Sequence, residues 1–235
     1  MNFEILTLFP KMFPGPLNFS IYKKALEKKL FNLNVTNIRD FSTEKSKTVD
    51  DNPAGGGPGM ILRADIVQKA LDNVKLRLKK KICCIYLSPS GTKLTQKKVK
   101  KISKFKDIII ICGRYEGIDQ RFIDYNSINE LSVGDYILSG GETAAFILID
   151  ACVRLIPEVL GNRESLQSES FEDYLLEYPH YTRPENWNGL KVPDVLKSGN
   201  HNKISDWRLK KSIEKTKKVR PDLFELYKKK LMKEK

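Results

Sequence analysis

The chain has 235 residues, 40% of them hydrophobic, which suffices for one large domain with a real core and a smaller one beside it. It carries 42 lysines and arginines against 29 acids, a formal net charge of +13 with a pI near 9.5, the electrostatic footprint of a protein that meets phosphate backbones. A bilayer span is excluded, because the longest apolar stretch, 143–153, is broken by Asp150 and falls well short of the roughly 20 residues a membrane requires.

The N-terminus lacks the basic region and small-residue cleavage site of a signal peptide. Cys83, Cys84, Cys112 and Cys152 sit in apolar runs without metal-ligand spacing, so they read as reduced core residues of a cytoplasmic protein, with neither disulfide nor zinc.

In chain order, residues 3–9 predict a first strand ended by Pro10. Ser20 is a plausible N-cap for a helix through Leu30, and a second strand follows over 33–38. Residues 39–60 show little periodicity and end in DDNPAGGGPGM, a loop whose length inside a compact domain signals function or disorder. Its glycines form no Walker loop, since no Gly-Lys-Ser/Thr follows, and no G-x-G-x-x-G, since Met60 stands where the third glycine belongs.

A helix over 65–79, apolar at Ile66, Val67, Ala70, Leu71, Val74 and Leu78, leads to a strand over 82–87 and a turn at Ser88-Pro89-Ser90-Gly91. Thr95 caps a lysine-rich helix to about Phe105, and residues 108–112 form a β-branched run of the kind buried on both faces of a parallel sheet. Two glycine-bearing turns follow, at 112–117 and 133–142. The turn after a central strand is where open α/β sheets bind ligands. Residues 143–156 are apolar almost all round, so that helix is buried from several sides. Strand and helix alternate throughout, giving an α/β domain with a mainly parallel sheet.

After Pro157 the composition shifts. Residues 161–170, GNRESLQSES, are polar and aperiodic and read as an interdomain linker. A basic helix over 206–219 and a last helix over 222–232 follow. From Lys203 to Arg220 there are eight basic residues against Asp206 and Glu214, a module suited to phosphates.

The wording CGRYEGID at 112–119 and VGDYILSGGE at 133–142 resembles the cofactor-binding region of the TrmD-type tRNA (guanine-N1)-methyltransferases, which are SPOUT-class enzymes. FEILTLFP at 3–10, GGGPGM at 55–60, LSPSG at 87–91, HYTRP at 180–184 and SGNH at 198–201 extend the resemblance over nearly the whole chain. It implies a SPOUT-type parallel sheet with a deep trefoil knot in residues 1–160, a flexible linker over 161–176, and a small basic α-helical tRNA-binding domain over 177–235. Physics alone would not propose a knot.

The same resemblance implies transfer of a methyl group from S-adenosyl-L-methionine to N1 of the guanosine immediately 3′ of the anticodon, position 37. It implies a homodimer with the active site at the subunit interface, and magnesium as an aid to catalysis, although no acidic cluster marks a metal site. The donor is expected at Tyr86, Leu87, Ser88, Pro89, Gly113, Tyr115, Glu116, Val133, Gly134, Asp135, Tyr136, Ile137, Leu138, Gly140 and Gly141. The tRNA is expected at Asp50, Gly59, His180, Arg183, Ser198 and Asn200.

Methylating N1 requires taking its proton while negative charge builds on O6. The resemblance assigns the base to Glu169, where the family has aspartate in the pattern acid-Ser-Phe, and O6 to Arg154, a planar cation suited to guanine acceptors. Asn52 and Ala54 also depart from the family, which more often has an arginine and an aromatic residue there. Two other readings stay open: a SPOUT enzyme acting on another RNA position, such as a ribose 2′-hydroxyl, and a noncatalytic RNA-binding protein.

Overall fold

The isoleucine run forms the central strand of the sheet. In the computed structural model, which describes residues 1–78, 81–160 and 169–233, strand β6 (Asp107–Cys112) is buried along its whole length. Successive side chains on a strand point to opposite faces. Ile108, Ile110 and Cys112 therefore enter one core while Ile109 and Ile111 enter another.

Strand β6 pairs with β1 (Asn2–Thr7) on one side and with β5 (Ile82–Lys93) on the other. With β2 (Asn32–Asn37) and β7 (Asn129–Ser132) at the edges, the order is β2-β1-β6-β5-β7 and every pairing is parallel. A sheet of this kind needs helices on both faces. Helices α1 (Ser20–Glu27), α3 (Gln96–Ile102) and α5 (Gly141–Val153) supply the first core, and α2 (Ala64–Leu76) and α4 (Gln120–Asn126) the second. A two-residue antiparallel pair, β3 (Asp50–Asp51) with β4 (Ile61–Leu62), closes the glycine loop between them. The predicted α/β class with a parallel sheet is what the chain adopts.

Several local expectations change. Ser20 does not cap α1: the chain is extended at Phe19, Ser20 opens the helix with a left-handed φ of 52°, and no side-chain cap forms. That helix ends at Glu27 rather than Leu30. Thr95 does cap α3, accepting a hydrogen bond from Lys98 N–H at 3.3 Å. The turn predicted at 88–91 is instead a bulge inside β5, where the pairing with β7 jumps from Leu87 to Thr92. α4 and β7 have no counterpart in the sequence reading, and α5 starts two residues earlier than expected.

The chain divides into two compact units, Met1–Gly161 and Asn162–Lys235. Of the predicted linker, residues 161–168 lie outside the described residues. The rest belongs to the second unit, where Leu175 is buried and Thr216 Oγ1 of helix α6 (His201–Val219) accepts from Leu176 N–H at 2.8 Å. α6 starts at His201 rather than Asp206 because Asn200 caps it, accepting from Lys203 N–H at 3.1 Å. Helix α7 (Pro221–Lys233) follows, and a small hairpin, β8 (Asn186–Trp187) with β9 (Leu190–Lys191), precedes both. Among the described residues no helix is long and apolar enough to cross a membrane.

Ile110 is fully buried at the middle of β6. Ile110→Ala is expected to destabilise the protein by about 2–5 kcal/mol through lost burial and the cavity left behind. A lowered urea midpoint with an unchanged m-value is the expected result.

Candidate functional site

The bulge of β5, the turn after β6 and the segment leading from β7 to α5 enclose a cleft of about 310 Å³, a size suited to a small-molecule ligand. Two contacts create it. Gly141 N–H donates to the Gly113 carbonyl at 2.9 Å, drawing the start of α5 onto the end of β6. The approach is so close that a Cβ on Gly141 would stand 2.7 Å from Cys112 Cα, so no larger residue fits without backbone movement.

The second contact is ionic. Arg114 lines the cleft, and its Nε lies 2.9 Å from Oε2 of Glu142, which is completely buried in the first turn of α5. Arg114 Nη1 donates to the Ser139 carbonyl at 2.9 Å, and the guanidinium lies over the Phe9 ring, 4.3 Å from its centroid. The other carboxylate oxygen, Glu142 Oε1, accepts from Thr7 Oγ1 at 2.6 Å. Arg114 occupies the space a side chain at 140 would need: a Cβ there would collide with Arg114 Nε.

The glycine loop joins the cleft from the other side. Glu116 N–H donates to the Met60 carbonyl at 3.0 Å and Leu62 N–H to the Gly117 carbonyl at 2.9 Å. Gly59 packs against the Glu116 side chain, and Tyr115 Oη accepts from Arg39 Nη2 at 3.3 Å. Burial, with a smaller contribution from Glu130, raises the Tyr86 phenol above its ordinary pKa, so it stays a neutral hydroxyl. Burial also pushes the Cys112 thiol well up, which removes it as a nucleophile at neutral pH.

Every position assigned to the donor from the sequence lines this cleft except Asp135, whose carboxylate points outward to Lys93 Nζ at 3.2 Å. The other assigned residues lie elsewhere. Arg154 is the C-cap of α5, at the end opposite Gly141. At about 1.5 Å per residue the 13-residue helix separates it from the cleft by roughly 20 Å, so one chain does not bring the two together. Asp50 sits in β3. Asn52 and Ala54 line a different groove, with Asp65 of α2 and Tyr125 of α4.

The remainder are in the second unit. Glu169 is half-buried in a shallow pocket with Tyr178, Arg208 and Ser212. His180 Nε2 lies 2.9 Å from Glu177 and its ring packs on Tyr178, which Arg208 covers 4.8 Å from the ring centroid. Arg183 is exposed. Ser198 Oγ donates to the Val195 carbonyl at 2.8 Å and Asn200 caps α6, so both shape the backbone there. Among the described residues no group of three histidine, cysteine, aspartate or glutamate side chains is placed to hold a metal ion.

Sequence reasoning passed over Arg114, Glu142 and Thr7. A signal for Glu142 existed: an acid in the first turn of a helix with no polar face must be buried and must find a cation.

Residues 1–226 match the profile of the family described as tRNA (Guanine-1)-methyltransferase TrmD. The chain is 56% identical over 224 residues to a tRNA (guanine-N(1)-)-methyltransferase of Wolbachia pipientis wMel, covering 94% of each chain. It is 55% identical over 223 residues to the protein of the same name from Ehrlichia ruminantium (strain Welgevonden), again covering 94% of each. To that of Pelagibacter ubique (strain HTCC1062) it is 54% identical, covering 96% of this chain and 98% of the relative.

The Thr7 hydroxyl is a donor to a buried carboxylate, and an unpaired group of that kind costs at least about 1 kcal/mol. Thr7→Val preserves shape and is expected to lower stability to urea by that amount or more. An unchanged midpoint would mean that Glu142 Oε1 finds another donor.

Proposed function

Since the chain belongs to the tRNA (Guanine-1)-methyltransferase TrmD family, we propose that it transfers a methyl group from S-adenosyl-L-methionine to N1 of guanosine 37 in tRNA. The observation that carries this reading is the cleft, which residues of both glycine turns line together. The residues fit such a donor. Gly113, Gly134, Gly140 and Gly141 leave the walls open to it, Leu87, Val133 and Leu138 offer apolar surface to an adenine, and Tyr115 and Glu116 offer polar groups. When bound, S-adenosylmethionine supplies an electrophilic methyl on a sulfonium.

The rest of the reaction falls to side chains. Glu169 takes the N1 proton, since guanine N1–H does not ionise appreciably at neutral pH without a base. Arg154 stabilises the negative charge that builds on O6. Because Arg154 stands a helix length from the cleft, the complete site needs a second copy of the chain, and α5 exposes Ile147 on its surface. We therefore read the protein as a homodimer with its active site at the subunit interface.

The basic α6 and the aromatic groups Tyr178, Tyr181 and Trp207 suit phosphate contact and the stacking of unpaired anticodon-loop bases. Residues 177–235 are proposed as the tRNA-binding domain on that ground. The trefoil knot is proposed for residues 1–160. It is supported by the return of the chain from edge strand β7 to the end of central strand β6, where Gly141 meets Gly113. A tRNA substrate and the character of the four cysteines fit a cytoplasmic protein. Magnesium is assigned no residues.

The test of the reading is methyl transfer to tRNA transcripts with guanosine or adenosine at position 37, with the product nucleoside identified. N1-methylguanosine is the expected product, and methylation of a ribose would favour the rival reading. Glu169→Gln is expected to lower single-turnover transfer at least about 100-fold with little change in tRNA or donor affinity. Glu169→Asp should retain substantial activity. A parental rate in Glu169→Gln would make this carboxylate a bystander. In solution, light scattering should give twice the chain mass of 27.0 kDa, and a particle of single-chain mass at micromolar concentration would remove the dimer.

A further inference from the structure

We propose that Glu142 sets the charge selectivity of the cleft: by neutralising Arg114 it lets the site hold a cationic sulfonium in preference to the neutral thioether that remains after transfer. This rests on the reading that the cleft binds S-adenosylmethionine.

Arg114 is a fixed cation in the cleft wall. Its guanidinium is anchored by the Ser139 carbonyl and lies over Phe9, and Gly140 leaves it the room it occupies. The proposed ligand also carries a positive charge on sulfur. In a partly desolvated cleft, an uncompensated arginine would repel that charge through a low effective dielectric. The site would then favour the spent product over the donor.

Glu142 meets this requirement from a position no ligand reaches. It is completely buried and does not line the cleft. One carboxylate oxygen is saturated by the Thr7 hydroxyl. The other stands 2.9 Å from Arg114 Nε without hydrogen-bond alignment, and both of these atoms are shielded from solvent. The pair is therefore held by opposite charge in a low-dielectric setting, where removal of one partner leaves the other fully expressed. The start of α5 adds further support for the carboxylate.

The balance of the transfer step gives the compensation its use. N1 of guanine forms the new N–CH₃ bond, the S–CH₃ bond breaks with its electron pair kept on sulfur, and the N1 proton passes to Glu169. The sulfur becomes neutral. A cleft with no net charge at Arg114 discriminates against the product only through the attraction its remaining dipoles and Glu116 exert on a cation. An exposed arginine charge would cancel that attraction. Glu142 is thus a positioning residue that acts through Arg114 and touches no substrate.

The experiment is calorimetric titration of the full chain with S-adenosylmethionine and, separately, S-adenosylhomocysteine, read as the ratio of the two affinities. Glu142→Gln keeps the side-chain size and an acceptor for Thr7 while freeing the Arg114 charge. The ratio is expected to shift toward the thioether by at least about threefold. The double variant Arg114→Gln, Glu142→Gln removes both charges and should return the ratio to the parental value within about twofold, even if both ligands bind more weakly.

A structural clamp would behave otherwise, lowering both affinities together in the single variant and further in the double. That result, or a double variant that does not restore the ratio, overturns the proposal. Should Glu142→Gln fail to fold, Arg114→Gln decides: a ratio at or above the parental value supports charge compensation, and a lowered one overturns it. Failure of the parental chain to bind either ligand would instead strike the reading of the cleft itself.

Discussion

The hydrogen bond from Gly141 N–H to the Gly113 carbonyl is the contact from which the site follows. It fixes the start of α5 against the end of β6, and the segment between β7 and α5 then lines the cleft together with the bulge of β5 and the turn after β6. Without a Cβ at 141 the two backbones can meet; with one, Cys112 Cα would stand in the way. The same approach carries Glu142 into the interior. A buried carboxylate needs a cation and a donor close by, and Arg114 and Thr7 supply them from two other parts of the chain. One backbone contact thus obliges a side-chain network that ties β1, β6 and α5 together.

The fold was legible where the pattern was strong and local. Ile108 to Ile111 read as a strand buried on both faces, and they are; the all-apolar α5 read as interior, and most of it is, with Ile147 left on the surface. β7 was hidden because Asn129-Glu130-Leu131-Ser132 holds a single apolar residue and no β-branched one. What makes it a strand is its pairing with β5, a tertiary interaction. The bulge in β5 was misread for the complementary reason. Ser88-Pro89-Ser90-Gly91 has the residues of a turn, and only the resumption of pairing at Thr92 shows that the strand continues. Ser20 illustrates a weaker rule: a capping residue type helps only if the chain enters the helix one residue later than it does here.

The site was legible in the same uneven way. Nearly all of the cleft wall comes from three short motifs, so residues named from them arrived together, with Asp135 turned away toward Lys93. The ionic support beneath was not legible, because Thr7 and Glu142 lie 135 positions apart and no periodicity links them. Arg154 and Glu169 were named by resemblance to a family, and the fold places neither in the cleft wall. Residue type and motif report what a side chain can do; the reach of its backbone decides where.

In the proposed reaction this separation makes side-chain reach important. Glu169, the proposed base, stands in the second unit, half-buried near Tyr178 and Arg208. Its side chain is one methylene longer than the aspartate the family more often carries, which changes its reach by about an ångström, a displacement large enough to alter rates substantially when catalytic geometry is tight. The length of that side chain matters because the base is not built into the rigid wall.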